Sequence, residues 1–164
     1  MAISGETYKL IGRAAAGAVS VVTAFDRESN AVIGLTVTSF VTLSFEPPLV
    51  MFAIQHNANC YPAMVGSEAF GVSLLSVHQA DIAQRFATRG ADKSLGTRFE
   101  TAQVLPVPLI AESLVQVECV RNQTFVSGDH AIVVGQVEAA RTRDGEPLLY
   151  FARQFGSFTA LKEG

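Results

Sequence analysis

Three stretches of this chain carry side chains whose types and spacing could do chemistry. The first lies between Gly34 and Pro48, where Thr36, Thr38, Ser39, Thr42 and Ser44 fall within nine positions. Along an extended strand, alternate residues share a face. The even positions are then Thr36, Thr38, Phe40, Thr42 and Ser44, and the odd ones Leu35, Val37, Ser39, Val41, Leu43 and Phe45. Polar and apolar change places only at Ser39 and Phe40. Either the strand bulges there, or Ser39 points inward to a specific partner. A buried hydroxyl lacking one costs about 1–3 kcal/mol. Two readings of the stripe stay open: a solvated face of strand-favouring threonines, or the lining of a ligand site.

The second stretch runs from Ser127 to Val137, where Gly128-Asp129 marks a turn and His130 opens a strand. An imidazole in that place can stand in a cleft and changes charge near neutral pH. The alternative is a turn histidine bonded to backbone. Gly135 marks a bulge or the close approach of another group. The third stretch holds Arg85, Arg89, Lys93 and Arg98 in a chain of net charge −3. Such cations can meet phosphates or sit at a helix end, where they favour the dipole. Arg85 reads as a helix-end residue, and Arg89 and Lys93 are open to either use.

Several functions are disfavoured. No GxGxxG follows a strand, and neither a P-loop nor a GxSxG elbow is present. Cys60 and Cys119 lie far apart with no CxxC and no His pair at metal spacing, so no metal is expected and the thiols read as reduced. Without a Lys/Arg run, nucleic-acid binding lacks its electrostatic footprint. Ala14 to Phe25 is apolar enough to raise the question of a signal peptide, but Val19, Val21 and Thr23 alternate as a strand does. No stretch reaches the roughly 20 apolar residues of a spanning helix. We therefore expect a soluble cytoplasmic protein forming one domain over 1–164. With 49% hydrophobic and only 16% charged residues, some of its surface should be apolar, and a homo-oligomer is expected.

The elements that must position these residues follow from periodicity and punctuation. A short helix is predicted over Thr7–Ala16, with Leu10, Ile11 and Ala14 on one side. Strand Ala18–Phe25 forms a hairpin with a strand starting at Ala31, which carries the hydroxyl run until Pro47-Pro48 stops it. Leu49–Gln55 reads as a strand buried on both faces. A helix begins near Asn59-Cys60-Tyr61-Pro62. Strand Phe70–Leu75 leads to a capping box at Ser76–Gln79 and a helix facing inward through Ile82, Ala83 and Phe86. Gly90–Gln103 reads as a polar loop, and Pro106 and Pro108 argue against a central strand there. In strand Val115–Arg121, Val115, Val117 and Cys119 should face in, and Gln116 and Glu118 out. Strands Ala131–Arg141, Leu148–Phe151 and Ser157–Leu161 close the chain. Many short strands with few helices point to a mainly β fold, a barrel or sandwich.

Taken in order, these segments resemble the flavin reductase family with the FMN-binding split barrel. Ala16–Thr23 is similar to its opening strand, and Thr36–Pro48 to its flavin-binding strand. Gln84-Arg85-Phe86-Ala87 is similar to its helix end after the capping box. Gly128-Asp129-His130 with Ile132 and Gly135 fits the pattern GDHxIxxGxV, and Leu149-Tyr150-Phe151 with Phe155-Gly156-Ser157-Phe158 is similar to its closing segment. The resemblance implies a homodimer of Greek-key split β-barrels with a few flanking helices and a flavin near the subunit interface. It implies NADH- or NADPH-dependent reduction of FMN or FAD by hydride transfer to flavin N5. It further implies reduced flavin passing to a partner monooxygenase.

By position, Thr36, Val37, Thr38 and Ser39 would hold the flavin. Asn57, Asn59 and Cys60 stand where the family has a Ser/Thr-rich segment meeting the ribityl or phosphate end. Arg89, Lys93, Tyr150 and Phe155 complete the candidate cofactor-contacting set. His130 would orient the nicotinamide and is the one candidate catalytic residue. Rival readings are a non-catalytic flavin- or haem-binding split barrel, a pyridoxamine-phosphate-oxidase-like oxidase, and a cofactor-free interaction module.

Overall fold

The computed structural model describes residues 3–161. At the start, the Ser4 hydroxyl accepts from the Thr7 N–H at 3.1 Å and caps α1 (Gly5–Ala14). The helix forms two residues earlier than its apolar periodicity alone suggests, because this cap precedes it. None of its side chains is buried, so Tyr8, Leu10 and Ile11 stay exposed.

A small three-stranded sheet and one short strand pair accompany a large antiparallel sheet. The strands in chain order are β1 (Gly17–Ala18), β2 (Ser20–Phe25), β3 (Val32–Val37), β4 (Val41–Ser44) and β5 (Leu49–Gln55). Then come α2 (Tyr61–Gly66), β6 (Ala69–Leu74), a single 3-10 turn at Val77–Gln79 and α3 (Ala80–Ala87). The chain ends with β7 (Phe99–Glu100), β8 (Leu109–Ile110), β9 (Val115–Ser127), β10 (His130–Thr142), β11 (Leu149–Phe151) and β12 (Gln154–Gly156). The large sheet has seven strands in the order β3-β2-β6-β9-β10-β5-β4. The fold is mainly β. Among the described residues, its edge strands β3 and β4 are not paired with each other, so the ladder is open.

The hydroxyl run is two strands rather than one. Its first half pairs with β2 up to Val37, and its second joins β5 from Val41, at the opposite edge of the sheet. Residues 38–40 carry the chain between the two edges. The exchange of polar and apolar marks this crossing: Ser39 accepts from the Ala53 N–H of β5 at 3.0 Å, while Phe40 packs against the core.

That core holds Val22, Phe52, Ile54, Phe70, Val72 and Val133, with the Phe52 and Phe70 rings edge-to-face at 5.3 Å. Gly135 serves both suggested purposes: the β9–β10 register slips beside it, and a Cβ there would collide with the Phe70 ring. A second core gathers Val19, Val21, Leu75, Phe86, Ile110 and Leu148.

Two further expectations fail, each for a physical reason. Gln116 and Glu118 do not face water; they are 1% and 2% exposed. Residues 103–110 lie across this face of the sheet and use its polar side chains as anchors. The Glu118 carboxylate accepts from the N–H groups of Gln103, Val104 and Leu105. The Gln116 amide donates to the Ile110 carbonyl at 2.7 Å, and Ser73 Oγ accepts from the Ile110 N–H at 2.9 Å. The Thr23 hydroxyl donates to the Pro108 carbonyl. The last strand is Gln154–Gly156, not Ser157–Leu161. A left-handed turn at Ala152 (φ 48°) and Arg153 (φ 68°) folds the chain back early, so β12 pairs with β11.

Candidate active site

One long cleft of about 900 Å³ runs between β3 and the chain that follows α3. Its floor exists because residue 34 is glycine. A Cβ there would stand 2.6 Å from the Val22 carbonyl and 2.8 Å from the Phe86 ring, so only glycine lets α3 lie this close to β3. The walls come from β3 and the crossing segment, the end of β5, the β5–α2 loop, residues 87–93 and the first residue of β10.

The cleft brings together Thr36, Val37, Thr38, Ser39, Asn57, Asn59, Cys60, Arg89, Lys93 and His130. Tyr150 and Phe155 are elsewhere. Their rings meet at 5.3 Å, tilted by 59°, and pack on the second core, and Tyr150 borders a separate depression beside α1.

The residues in the cleft differ in how much of their chemistry is already engaged. The Thr36 hydroxyl donates to the Ala83 carbonyl of α3 at 2.6 Å, so it ties the helix to the strand. Ser39 is held by β5, as above. Thr38 is exposed, and residues 38–40 belong to neither ladder. Cys60 Sγ lies 3.7 Å from the Gly34 carbonyl, and burial pushes its thiol up, away from the reactive thiolate.

The two cations differ most. Lys93 Nζ donates to three carbonyls at the end of α3: Arg85 at 2.8 Å, Phe86 at 3.3 Å and Thr88 at 2.7 Å. An ammonium has three donors, so all are engaged. Burial lowers its pKa, against a smaller opposing pull from Cys60. Arg89 makes one bond, from Nε to Asn59 Oδ1 at 2.8 Å. Its two terminal nitrogens have no hydrogen-bond partner among the described residues.

His130 stands at the mouth of the β9–β10 hairpin, opposite Gln55 of β5. Its Nδ1 lies 2.6 Å from Asp129 Oδ1, and this hydrogen bond holds the Asp129 carboxyl below its ordinary value. With Nδ1–H donating to Asp129, Nε2 is left for a ligand.

Sequence reasoning missed Gln55, Phe86, Thr88 and Asp92 as cleft residues. Gly34 inside an apolar strand was the available signal for Phe86. Nothing in the sequence showed where the loop after α3 folds. A second depression of about 700 Å³, between residues 76–82 and 143–146, has its arginines already paired: Arg98 with Glu112 and Arg143 with Glu100. Among the described residues, no group of three His, Cys, Asp or Glu could hold a metal ion.

Residues 12–159 match the family model described as the flavin reductase like domain. The chain belongs to the flavin reductase family. It is 36% identical over 142 residues to the NADH:riboflavin 5'-phosphate oxidoreductase of Streptomyces pristinaespiralis, covering 85% of this chain and 80% of that protein. It is 34% identical over 152 residues to the 4-hydroxyphenylacetate 3-monooxygenase reductase component of Thermus thermophilus, covering 92% of this chain and 94% of that protein. Among solved structures, it resembles the NADH:FAD oxidoreductase of Streptomyces globisporus in complex with NAD and FAD fragments. That likeness has a TM-score of 0.87 at 25% identity and covers 97% of each chain. For a flavin reductase the cleft has a suitable donor set: backbone outside the ladders at 38–40, amides at Asn57 and Asn59, and a guanidinium at Arg89.

Proposed function

We propose that this chain is an NAD(P)H:flavin oxidoreductase, reducing FMN or FAD and supplying reduced flavin to a separate monooxygenase. The observation that carries this reading is the single cleft joining the crossing segment, Arg89 and His130. Its volume of about 900 Å³ and its lining suit a flavin with its ring near Thr36–Ser39 and its phosphate toward Arg89 and Asn59. A bound flavin supplies the hydride acceptor at N5. The protein contributes binding, orientation and exclusion of water, because hydride transfer depends on stacking and distance.

His130 then orients the nicotinamide rather than moving a proton. Asp129 fixes its tautomer, so Nε2 presents an acceptor to the nicotinamide amide. Cys60 lines the flavin side as a neutral thiol. Tyr150 and Phe155, outside the cleft within one chain, contact cofactor across a dimer interface. A homodimer is supported by the apolar residues left uncovered on β4, just after it and on the β9–β10 hairpin: Val41, Leu43, Phe45, Phe125 and Val126 are exposed, Phe45 at 96%. We read residues 1–164 as one split-barrel domain, supported by the opposite edges of the sheet meeting at the 38–40 crossing. Two free thiols among the described residues support a cytoplasmic location.

The test is oxidation of NADH or NADPH by the purified chain with added FMN or FAD. No turnover with any pairing overturns the reading. His130→Ala should raise the KM for the nicotinamide nucleotide about tenfold, roughly 1.4 kcal/mol, while flavin affinity changes less. Unchanged values for both would remove His130 from its role.

A further inference from the structure

Every other lysine and arginine among the described residues makes an ion pair or a side-chain hydrogen bond. Lys9, Arg13 and Arg153 make none there. These three are not scattered. With Tyr150, Gly12, Ala15 and Ala152 they line one depression of about 250 Å³, and no acidic residue is among its lining. Lys9 and Arg13 stand four apart on α1, on the same side of the helix, where like charges repel. In a chain of net charge −3, this is an uncompensated concentration of positive charge.

The backbone that presents the third cation is itself unusual. Ala152 and Arg153 both adopt left-handed φ values, 48° and 68°, without being glycine. Such residues are uncommon, and strain of this kind persists where surrounding structure holds it. Here the Ala152 N–H donates to the Arg13 carbonyl at 3.2 Å, which fastens the turn to the end of α1. The turn thereby sets Arg153 beside Lys9 and Arg13.

The depression adjoins the cleft. Gly17 of β1 is paired with Tyr150, and a Cβ on Gly17 would stand 2.9 Å from the Thr38 side chain. One short strand thus separates the basic depression from the Thr38 end of the cleft. That is the end away from Arg89, so a flavin phosphate at Arg89 leaves the depression for a different anion.

We propose that Lys9, Arg13 and Arg153 form a phosphate-binding site that holds the phosphate groups of the nicotinamide nucleotide while its ring lies in the cleft. The naming of the nucleotide rests on the reductase reading; the anion site itself does not. Charge-assisted contacts to phosphate are the strong kind, and arginine's planar fork suits them. The chemistry is shared by the diphosphate of either nucleotide and by the 2'-phosphate of NADPH.

The test uses the full chain with Lys9→Gln, Arg13→Gln and Arg153→Gln combined, after circular dichroism shows that it folds. The KM for the nicotinamide nucleotide should rise about tenfold or more, with kcat and the KM for FMN unchanged. A rise for NADH and NADPH alike identifies the diphosphate; a rise for NADPH alone identifies the 2'-phosphate. Either supports the site. Unchanged nicotinamide KM values overturn it, as does a rise confined to FAD, which would place the adenylate half of that flavin there. Inorganic pyrophosphate, titrated by calorimetry, should bind the wild type and not the triple variant. That measurement separates the two hypotheses: if the chain oxidises neither nucleotide but still binds pyrophosphate through these residues, the reductase reading has failed and the anion site stands. Should the triple variant misfold, Arg153→Gln alone, on an exposed turn, must still raise the KM; if it does not, the proposal is overturned.

Discussion

The two ends of the loop from Thr88 to Lys93 each carry one cation near the same cleft, and the two are used in opposite ways. Lys93 turns its ammonium onto three carbonyls of the α3 terminus. Arg89 turns outward, steadied by one bond to Asn59. A helix end leaves carbonyls without partners, and an ammonium held over them satisfies several at once. Proximity to a ligand cleft therefore does not make a cation a ligand contact; what remains of its hydrogen-bonding capacity does. Lys93 builds the wall, and Arg89 is available at its rim.

The largest effect should come from Lys93→Met, which keeps the stem packed near the Phe86 ring and removes the charge. Its loss leaves the α3 carbonyls uncompensated and should cost about 3 kcal/mol of stability, read as the urea midpoint. The flavin KM should rise with it, because the loop that carries Arg89 is no longer fixed. If stability stayed at the wild-type value while flavin binding fell, Lys93 would be a direct phosphate contact and the contrast would collapse.

Glu118 extends the contrast to the opposite sign, on a strand three places from β3 in the sheet. Its carboxylate is turned inward onto the N–H groups of Gln103, Val104 and Leu105. Burial alone would raise its pKa, but the three N–H donors outweigh that and hold it below its ordinary 4.5. Glu118→Gln should cost about 2 kcal/mol at neutral pH without changing either KM. The stabilisation from a depressed carboxyl is complete above pH 4.5 and is lost as pH falls through the lower folded value. The stability gap between wild type and variant should therefore narrow in acid. A gap that held constant down to low pH would mean the carboxylate charge is not what anchors residues 103–105.

Glu118 also shows what kind of information the sequence withheld. Alternation correctly put Gln116 and Glu118 opposite Val117 and Cys119, but nothing local to β9 told that residues 103–110 would cover that face. The β2–β3 hairpin was legible, but the rest of the strand order was hidden for the same reason, since the pairings of β2 with β6, β6 with β9 and β5 with β10 join segments far apart in the chain. By contrast, the hairpin at Gly128-Asp129, the capping box at Ser76 and Gln79 and the stop at Pro47-Pro48 were legible, because each rests on nearby residues. The cleft was legible as a set of residue types and illegible as a division of labour. Nothing local to Thr36 or Ser39 named their partners, Ala83 and Ala53, which lie 47 and 14 positions away. The exchange of Ser39 with Phe40 was a true local signal, and what it reported was the crossing between sheet edges.

Arg89 offers the smallest and most discriminating change. Arg89→Gln removes the guanidinium without disturbing the α3 terminus, so the urea midpoint should stay at the wild-type value. With FMN as substrate, the KM should rise about tenfold, the roughly 1.4 kcal/mol expected of one charge-assisted contact partly exposed to water. Riboflavin carries the same ring and no phosphate, so its KM should be the same in variant and wild type. Raising the salt concentration should shrink the FMN difference, since an exposed contact is screened. Equal losses with FMN and riboflavin would instead place Arg89 against the ring or the ribityl chain. In that case the outward cation would be a shape contact rather than a charge contact, and the rim of the cleft would have to find its phosphate donors in Asn57 and the backbone beside it.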